Sequence, residues 1–566
     1  MKTSALALAA ACLFLACAAD AQGVAGRGFL HAQNKQIVDG NGQPVLLRGM
    51  GLGGWMLQEG YMLSLDKLGT QRNIRAKISG LIGPDKTAAF YQAWRDNDIT
   101  KADVDAMAGW GFNSIRLPMH YNLFLEDTPG KIVWKPEGFA MVDRLIRWAK
   151  DNDMVVILDL HAAPGGQGNN IPISDRDPAA PSLWDSPDDQ AKMIALWAEL
   201  ARRYKDEPTV GGYDLLNEPN WGFQKVTGNT NGCAETDNGP LRDLLVRTTA
   251  AIRAVDQNHL IIIEGNCWGG NYAGMFPAGE KLWDSNIAIS FHKYWDPTTQ
   301  ETIAPYLKLR DDLDVPLWNG ESGENSNDWF ARAIQLEENN GIGWSWWPLK
   351  KIGFNNPLEI IPNRGYAAVA DYLNGDGPKP SADEATQALM QLATHDIRFE
   401  NNAFHKDVVD AIFRTSHSEA AVPFAENKVD ATATILAVDY DMGRNGVAYF
   451  DTTPSNEGGN PTLSPGNDGG TYRNDGVDID RMKDGQPFVS QMRTGEWLHY
   501  TLNVTQAGTY DLSLTPASEA LTIQINNGPE IHDFNGLTLD AGRNVLVIKA
   551  VNGPADLIYF TLTRRK

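Results

Sequence analysis

Cysteine is almost missing from this sequence. There are four in 566 residues, and two of them, Cys12 and Cys17, fall in an apolar stretch at the N-terminus. That scarcity excludes a scaffold stapled by several disulfides. The other two, Cys233 and Cys267, have no Cys or His at metal-ligand spacing, so no metal site is expected. In an exported chain they could form a disulfide; two free thiols are the alternative. Positive charge is also scarce. Lys and Arg number 49 against 71 Asp and Glu, a net charge of −22. This balance argues against nucleic acid or an anionic membrane surface as a partner and suits a neutral substrate. Past residue 21, no apolar run reaches the length of a membrane span.

What stands before residue 22 is a leader. Lys2 gives its positive end, Ala5 to Ala16 form a short apolar stretch, and Ala19-Asp20-Ala21 is a small-x-small cleavage signal. Residues 1–21 are therefore expected to be a signal peptide, and the mature chain secreted or periplasmic. Leu15-Ala16-Cys17 is a competing lipoprotein signal that would tether the chain to the outer surface through Cys17.

The length calls for two domains. Eight largely continuous apolar runs lie at 45–52, 113–119, 155–161, 212–218, 260–265, 287–294, 316–321 and 342–347. Such runs are expected when a parallel sheet is buried on both faces. Helical patterns separate most of them. Over 187–204, Ser186 caps, Pro187 takes the first helical position, and Met193, Leu196, Trp197, Leu200 and Tyr204 share one face. Another helix starts near Thr100, with Asp103 three residues on, and stops at Gly109-Trp110-Gly111. Eight strand–helix units predict an α/β fold, a (β/α)8 TIM barrel, over residues 22–417. Its chemistry should sit at the C-terminal ends of the strands. Helices near 382–394 and 406–415 close this region, and 418–430 reads as a linker. From 431 to 566 the composition shifts to Gly, Asn, Asp and Thr with short alternating runs, which predicts an all-β, jelly-roll-like sandwich. The stretch 452–470 reads as a long loop.

Polar groups cluster at the predicted strand ends. The first strand leads into Leu52-Gly53-Gly54-Trp55-Met56-Leu57-Gln58-Glu59, and the second holds Arg116. The third ends at His161, the fourth at Asn217-Glu218-Pro219, the sixth at His292-Lys293-Tyr294, the seventh at Glu321, and the eighth holds Trp344-Ser345-Trp346-Trp347-Pro348. Such convergence costs desolvation free energy that a purely structural barrel has no cause to spend. Two glutamates presented on one rim can divide into a protonated acid and an ionised nucleophile, the chemistry of glycoside hydrolysis. The seventeen Trp and sixteen Tyr fill cores or stack on sugar rings. Trp55, Trp268 and Trp295 are candidates for outer subsites, and Glu264 reads as structural or as a rim residue.

These strings, in this order, resemble glycoside hydrolase family 5 over roughly residues 40 to 350. The Leu-Gly-Gly-Trp string with its nearby Glu, and Leu160-His161-Ala162-Ala163-Pro164-Gly165, look most like the exo-β-1,3-glucanase branch. Ala162 and Gly51 stand where that branch has Gly and Asn, and Ser322-Gly323 follows Glu321 in the endoglucanase manner, so exo and endo action both stay open. The resemblance implies that Glu218 is the general acid/base and Glu321 the nucleophile. It further implies that Asn217 binds the sugar 2-hydroxyl, Tyr294 donates to Glu321, and Arg116 lies beneath it. His161 and His292 would bind hydroxyls or tune the acid, while Trp347 floors the subsite and Glu59 binds far hydroxyls of the same sugar. No cofactor is implied. The expected partner is a β-glucan, acted on by a monomer, with endo-β-1,4-glucanase or mannanase activity and a non-catalytic polysaccharide-binding protein as the rivals.

The C-terminal region, with Ile435-Leu436-Ala437-Val438-Asp439-Tyr440, Tyr472-Arg473 and Gly495-Glu496-Trp497-Leu498-His499-Tyr500, looks like a family 6 carbohydrate-binding module. Tyr472 and Trp497 are its candidate stacking residues. Leu436 and Val438 replace the acids that usually help to hold a structural calcium.

Overall fold

The computed structural model describes residues 23–277, 281–458, 467 and 469–566. The expected signal peptide and Cys17 lie outside the described residues. Among those described, no helix is long and apolar enough to cross a membrane.

Eight parallel strands close into a barrel in chain order: β1 (Arg48–Gly51), β2 (Ser114–His120), β3 (Val155–Ala162), β4 (Val210–Asp214), β5 (Leu260–Glu264), β6 (Ile287–Lys293), β7 (Leu317–Gly323) and β8 (Gly343–Trp347), with β8 pairing back to β1. All eight predicted strands are present. The clearest difference is at β4, whose ladder stops at Asp214 rather than 218. The backbone beyond it still bonds to both neighbours, Leu215 N–H to the Ile262 carbonyl and Asn217 N–H to the Leu160 carbonyl, each at 3.1 Å. Asn217 and Glu218 thus stay in the barrel wall with an irregular course.

The helices follow from their caps. In α3 (Lys101–Trp110), Thr100 and Asp103 form a reciprocal capping box, and Gly111 ends the helix at φ 116°. In α5 (Pro187–Tyr204) the Ser186 hydroxyl accepts from Asp189 N–H, and the predicted apolar stripe is buried. The first unit carries two further helices, α1 (Gln71–Ile82) and α2 (Pro84–Asn97), ahead of α3. They pack with α9 (Arg364–Asn374) and α10 (Ala382–Gln391) through Ile74, Ile78, Phe90, Trp94, Val369 and Leu389, a separate core beside the barrel. Other long helices are α4 (Pro136–Asp151), α6 (Gly239–Arg253), α7 (Gln300–Leu313) and α8 (Asn327–Asn339). At the N-terminal end of the barrel, Leu30 and Ile37 from a short hairpin join Val155, Ile157, Leu260, Ile262 and Trp318.

Cys233 and Cys267 form a disulfide, with Cα atoms 4.8 Å apart and a sequence separation of 34. It ties the loop after β4 to the loop after β5. By loop-closure entropy a ring of this length is worth roughly 4 kcal/mol.

The C-terminal region is all-β. One sheet contains β10 (Trp497–Val504), β13 (Gly542–Ala550) and β12 (Leu521–Ile525); another contains β9 (Thr432–Leu436), β14 (Tyr559–Arg564) and β11 (Gly508–Thr515). Strict alternation along β13 sends Leu546, Ile548 and Ala550 inward against Tyr500, Leu512 and Phe560. Asn427–Val429, inside the stretch expected to be a linker, pairs in parallel with β10. A buried polar seam joins the two regions. The Asn325 amide donates to the Asn456 carbonyl at 2.7 Å, and the Asn325 carbonyl accepts from the Asn474 amide at 2.8 Å. Asn327 N–H donates to the Asn474 carbonyl at 2.7 Å, and the Ser326 hydroxyl to that of Pro454 at 2.6 Å. All of these grip Asn325, Ser326 and Asn327, where β7 turns into α8, starting four residues after Glu321.

Candidate active site

The centre of the barrel mouth is built on Arg116. It sits in mid-strand on β2 with no exposure. Its Nε and Nη2 donate to Asp214 at 3.0 and 2.9 Å, and Nη2 also reaches Asn217 Oδ1 at 2.8 Å and Glu264 Oε1 at 3.2 Å. Asp159 lies 3.3 Å away, and Nη1 donates to Glu321. Four buried carboxyl groups therefore share one guanidinium. Burying a charge at this depth is sustained only by such pairing.

Glu321, on β7, is 5% exposed. Tyr294 donates its hydroxyl to Oε2 at 2.9 Å, and His161 Nδ1 lies 3.8 Å from Oε1. Burial pushes the Glu321 carboxyl up, but the charges of His292, Arg116 and His161 and the Tyr294 hydrogen bond outweigh it and bring it to about 2. At the end of its strand, Gly323 has φ 128°, and a Cβ there would meet the Trp347 carbonyl at 2.7 Å. The glycine that follows the nucleophile candidate is thus a steric requirement.

Glu218 sits at the opposite wall with φ 43°, a left-handed conformation rare for a non-glycine residue and typical of strained functional positions. Two side chains hold it there. Its N–H donates to Glu264 Oε2 at 2.7 Å, and its carbonyl accepts from the Asn220 amide at 2.9 Å. His292 Nδ1 lies 2.7 Å from Glu218 Oε1, and its Nε2 is in ion-pair contact with Glu264 at 3.2 Å. Burial raises the Glu218 carboxyl above its ordinary range, assisted by the Glu321 and Glu264 charges and opposed by His292. For His292, burial is outweighed by Glu264, Glu321 and Glu218, and its pKa rises well above the usual value. Carboxylate oxygens of Glu218 and Glu321 lie within 4.8 Å of each other, with His292 inside the same radius. Three such groups could ligate a cation, but His292 is already bonded to Glu218 and Arg116 is paired with Glu321. Proton sharing fits this arrangement better than metal ligation.

The remaining predicted residues surround this pair. The Trp347 ring stacks on His161, centroids 5.3 Å apart and planes 3° from parallel, and donates its N–H to the Tyr61 hydroxyl at 2.8 Å. Its ring lies so close to Gly51 that a Cβ there would meet it at 2.7 Å. This accounts for glycine at position 51. Glu59 is 4.0 Å from His161 Nε2. Burial, opposed by His161 and reinforced by Glu321, pushes its carboxyl up to about 8. Asn217 accepts from Arg116 and lies 3.3 Å from His161 Nε2.

Two expectations change. Trp55 is buried in the main core with its N–H on the Arg95 carbonyl, so it lines no outer subsite through an open ring face. For Glu264 the rim reading falls and the structural one stands. Expected to be structural or on the rim, it is 1% exposed and touches Glu218, His292 and Arg116 at once. Asp159, Asp214 and Tyr61 were also missed. Acidic residues within the apolar runs of β3 and β4 were the available signal; nothing near Tyr61 distinguishes it. Trp268 and Trp295 are half-buried, Trp295 stacked on Tyr294 at 5.2 Å. Tyr472 is occupied structurally: its hydroxyl donates to Asp439 at 2.8 Å and its ring packs edge-on against Phe424. Trp497 is half-buried opposite Phe450 on the outward side of β10.

Residues 76–352 match the family model of Cellulase (glycosyl hydrolase family 5). A beta-xylosidase of Phanerodontia chrysosporium is 32% identical over 380 residues, covering 61% of this chain and 76% of that protein. The chain belongs to glycosyl hydrolase family 5. Other similar proteins are Endoglucanase C of Acetivibrio thermocellus, 28% identical over 324 residues (47% of this chain, 88% of that protein), and a probable glucan 1,3-beta-glucosidase A of Aspergillus niger, 29% identical over 180 residues (31% and 41%).

In this family 5 hydrolase Glu264 is a positioning residue, and its removal has a defined sign. Deleting a buried negative charge lowers the proton affinity of both Glu218 and His292. Glu264→Gln is expected to shift the basic limb of the kcat/KM profile to lower pH by about one unit. A uniform fall in rate with unmoved limbs would reduce Glu264 to a structural role.

Proposed function

We propose that the chain is an exported retaining β-glycosidase acting on a β-glucan, in the manner of a glucan exo-1,3-β-glucosidase. The supporting observation is a pair of carboxyl groups within 4.8 Å whose environments push them apart, one raised and one lowered to about 2. That spacing leaves no room for an intervening water and favours double displacement. Glu218 gives its proton to the glycosidic oxygen while Glu321 attacks the anomeric carbon and forms a glycosyl ester. Glu218 then takes a proton from water, which attacks the same carbon and frees Glu321, with net retention. In this reading Asn217 binds the 2-hydroxyl, Trp347 floors the sugar, and a protonated Glu59 donates to a distant hydroxyl. His161 orients through its 2.8 Å bond to Asp159. No step calls for a cofactor. The sandwich is proposed as a family 6-like carbohydrate-binding module in which Trp497 remains a stacking candidate.

A second reading, endo-β-1,4-glucanase action, is favoured by the 88% coverage of Endoglucanase C against 41% of the glucosidase. The test is hydrolysis of laminarin, cello-oligosaccharides, mannan and an aryl β-xyloside with product sizes measured. Glucose alone from laminarin is expected; a ladder of oligomers rejects exo action, and turnover of cello-oligosaccharides alone rejects the β-1,3 preference.

A further inference from the structure

The loops across the barrel mouth from Glu218 are tied to one another. Leu349 N–H donates to the Gly51 carbonyl and Ile352 N–H to the Met62 carbonyl, each at 3.0 Å, so the segment after β8 runs along the loop after β1. Lys351, in that segment, is 7% exposed. Its ammonium pairs with Glu324, the first residue past β7, and lies 5.3 Å from the centre of the Tyr61 ring in the loop after β1. A single cation thus joins the loops after β1, β7 and β8. Glu324 has φ 48°, a left-handed corner of the kind kept at functional positions. That corner is held from two sides. The Glu324 carbonyl accepts from the Trp295 N–H at 3.2 Å, and the next residue, Asn325, is gripped by the sandwich.

This bridge borders the sugar site. Tyr61 accepts from the Trp347 N–H. Burial raises the Tyr61 and Tyr294 hydroxyls well above their usual value, and the Glu324 charge adds to both. In the proposed mechanism the leaving group departs on the Glu218 side, at β4. The strand directly across the closed barrel is β8, so the far end of a sugar lying over Trp347 meets these loops. A glucan threaded through the site would have to run out past them. Trp347 is only 4% exposed, which a floor ring open at both ends would not be. Stability alone is a poor reason for the charges, because a nearly buried ion pair can be replaced by apolar residues of similar volume at little cost. We propose that the Tyr61–Lys351–Glu324 bridge determines specificity: it closes the glycone end of the pocket, so that only the non-reducing terminal unit of a glucan enters. The inference rests on the exo reading above and names the residues that enforce it.

The test is the first product released from laminarihexaose and cellohexaose labelled at the reducing end. The full chain is compared with the double variant Glu324→Ala/Lys351→Ala, which removes both charges and leaves neither unpaired. The wild type is expected to release glucose and a labelled pentaose. In the double variant the share of first cuts that release a disaccharide should rise at least about tenfold, while an aryl β-glucoside is still turned over. Glu324→Ala alone, on the slightly more exposed partner (13% against 9%), should move the pattern the same way and serves should the double variant unfold. Glucose as the sole first product from the wild type and from both variants overturns the inference and leaves the exo reading standing. A ladder of products from the wild type itself overturns the exo reading, and the closure with it.

Discussion

Glu321→Gln is expected to reduce kcat by at least about 10³-fold, more than 4 kcal/mol of barrier, while calorimetric affinity for an oligosaccharide stays within a few-fold. The side chain keeps its size and its acceptor for Tyr294, but the amide cannot form the glycosyl ester. The charge lost is one that Arg116, His161 and His292 all face. Glu218→Gln should behave differently. It removes general-acid help, typically worth about 10²–10⁴-fold, and the loss should shrink for aryl glycosides whose leaving groups need no proton. If Glu321→Gln retained near wild-type turnover, the nucleophile would have to be another carboxylate, and the division of roles between the two glutamates would fall with it.

The barrel was legible because parallel strands buried on both faces leave continuous apolar runs, and because caps such as Ser186 and Thr100 mark helix starts locally. The family strings at the strand ends named nine candidates, and the structure brings Glu59, Arg116, His161, Asn217, Glu218, His292, Tyr294, Glu321 and Trp347 together. What stayed hidden depends on contacts between distant segments. Glu264 follows an apolar strand like any strand-end acid, and only closure of the barrel puts it against Glu218 and His292. The pairing of Cys233 with Cys267 could not be decided from spacing, since it needs two loops to meet. The stretch at 427–429 reads as a linker because three residues are too few to show alternation; its pairing with β10 comes from the tertiary structure. Tyr472 stays open between stacking and core in the sequence for a similar reason, because stacking and packing aromatics look alike until their neighbours are known.

Arg116→Met should produce the largest loss of stability, about 3–5 kcal/mol, as expected when one partner of a buried ion cluster is removed. Methionine fills much of the space but leaves Asp159, Asp214, Glu264 and Glu321 without their shared cation. The loss should depend on pH, with a sign fixed by linkage. In the native protein Glu321 is depressed to about 2, so its contribution is present above the unfolded value near 4.5 and fades as pH falls towards 2. Without the guanidinium the same carboxyl is pushed up by burial and by its acidic neighbours. It then favours folding only while protonated and opposes it as pH rises. The gap in thermal midpoint between wild type and Arg116→Met should therefore widen from pH 5 to pH 8, with turnover lost across that range. Arg116→Lys should fall between the two, keeping the charge but not the fork that spans Asp214 and Glu321 at once. A gap that stays constant with pH would mean that the arginine acts through packing alone, and that the low pKa of Glu321 is set by the histidines and Tyr294.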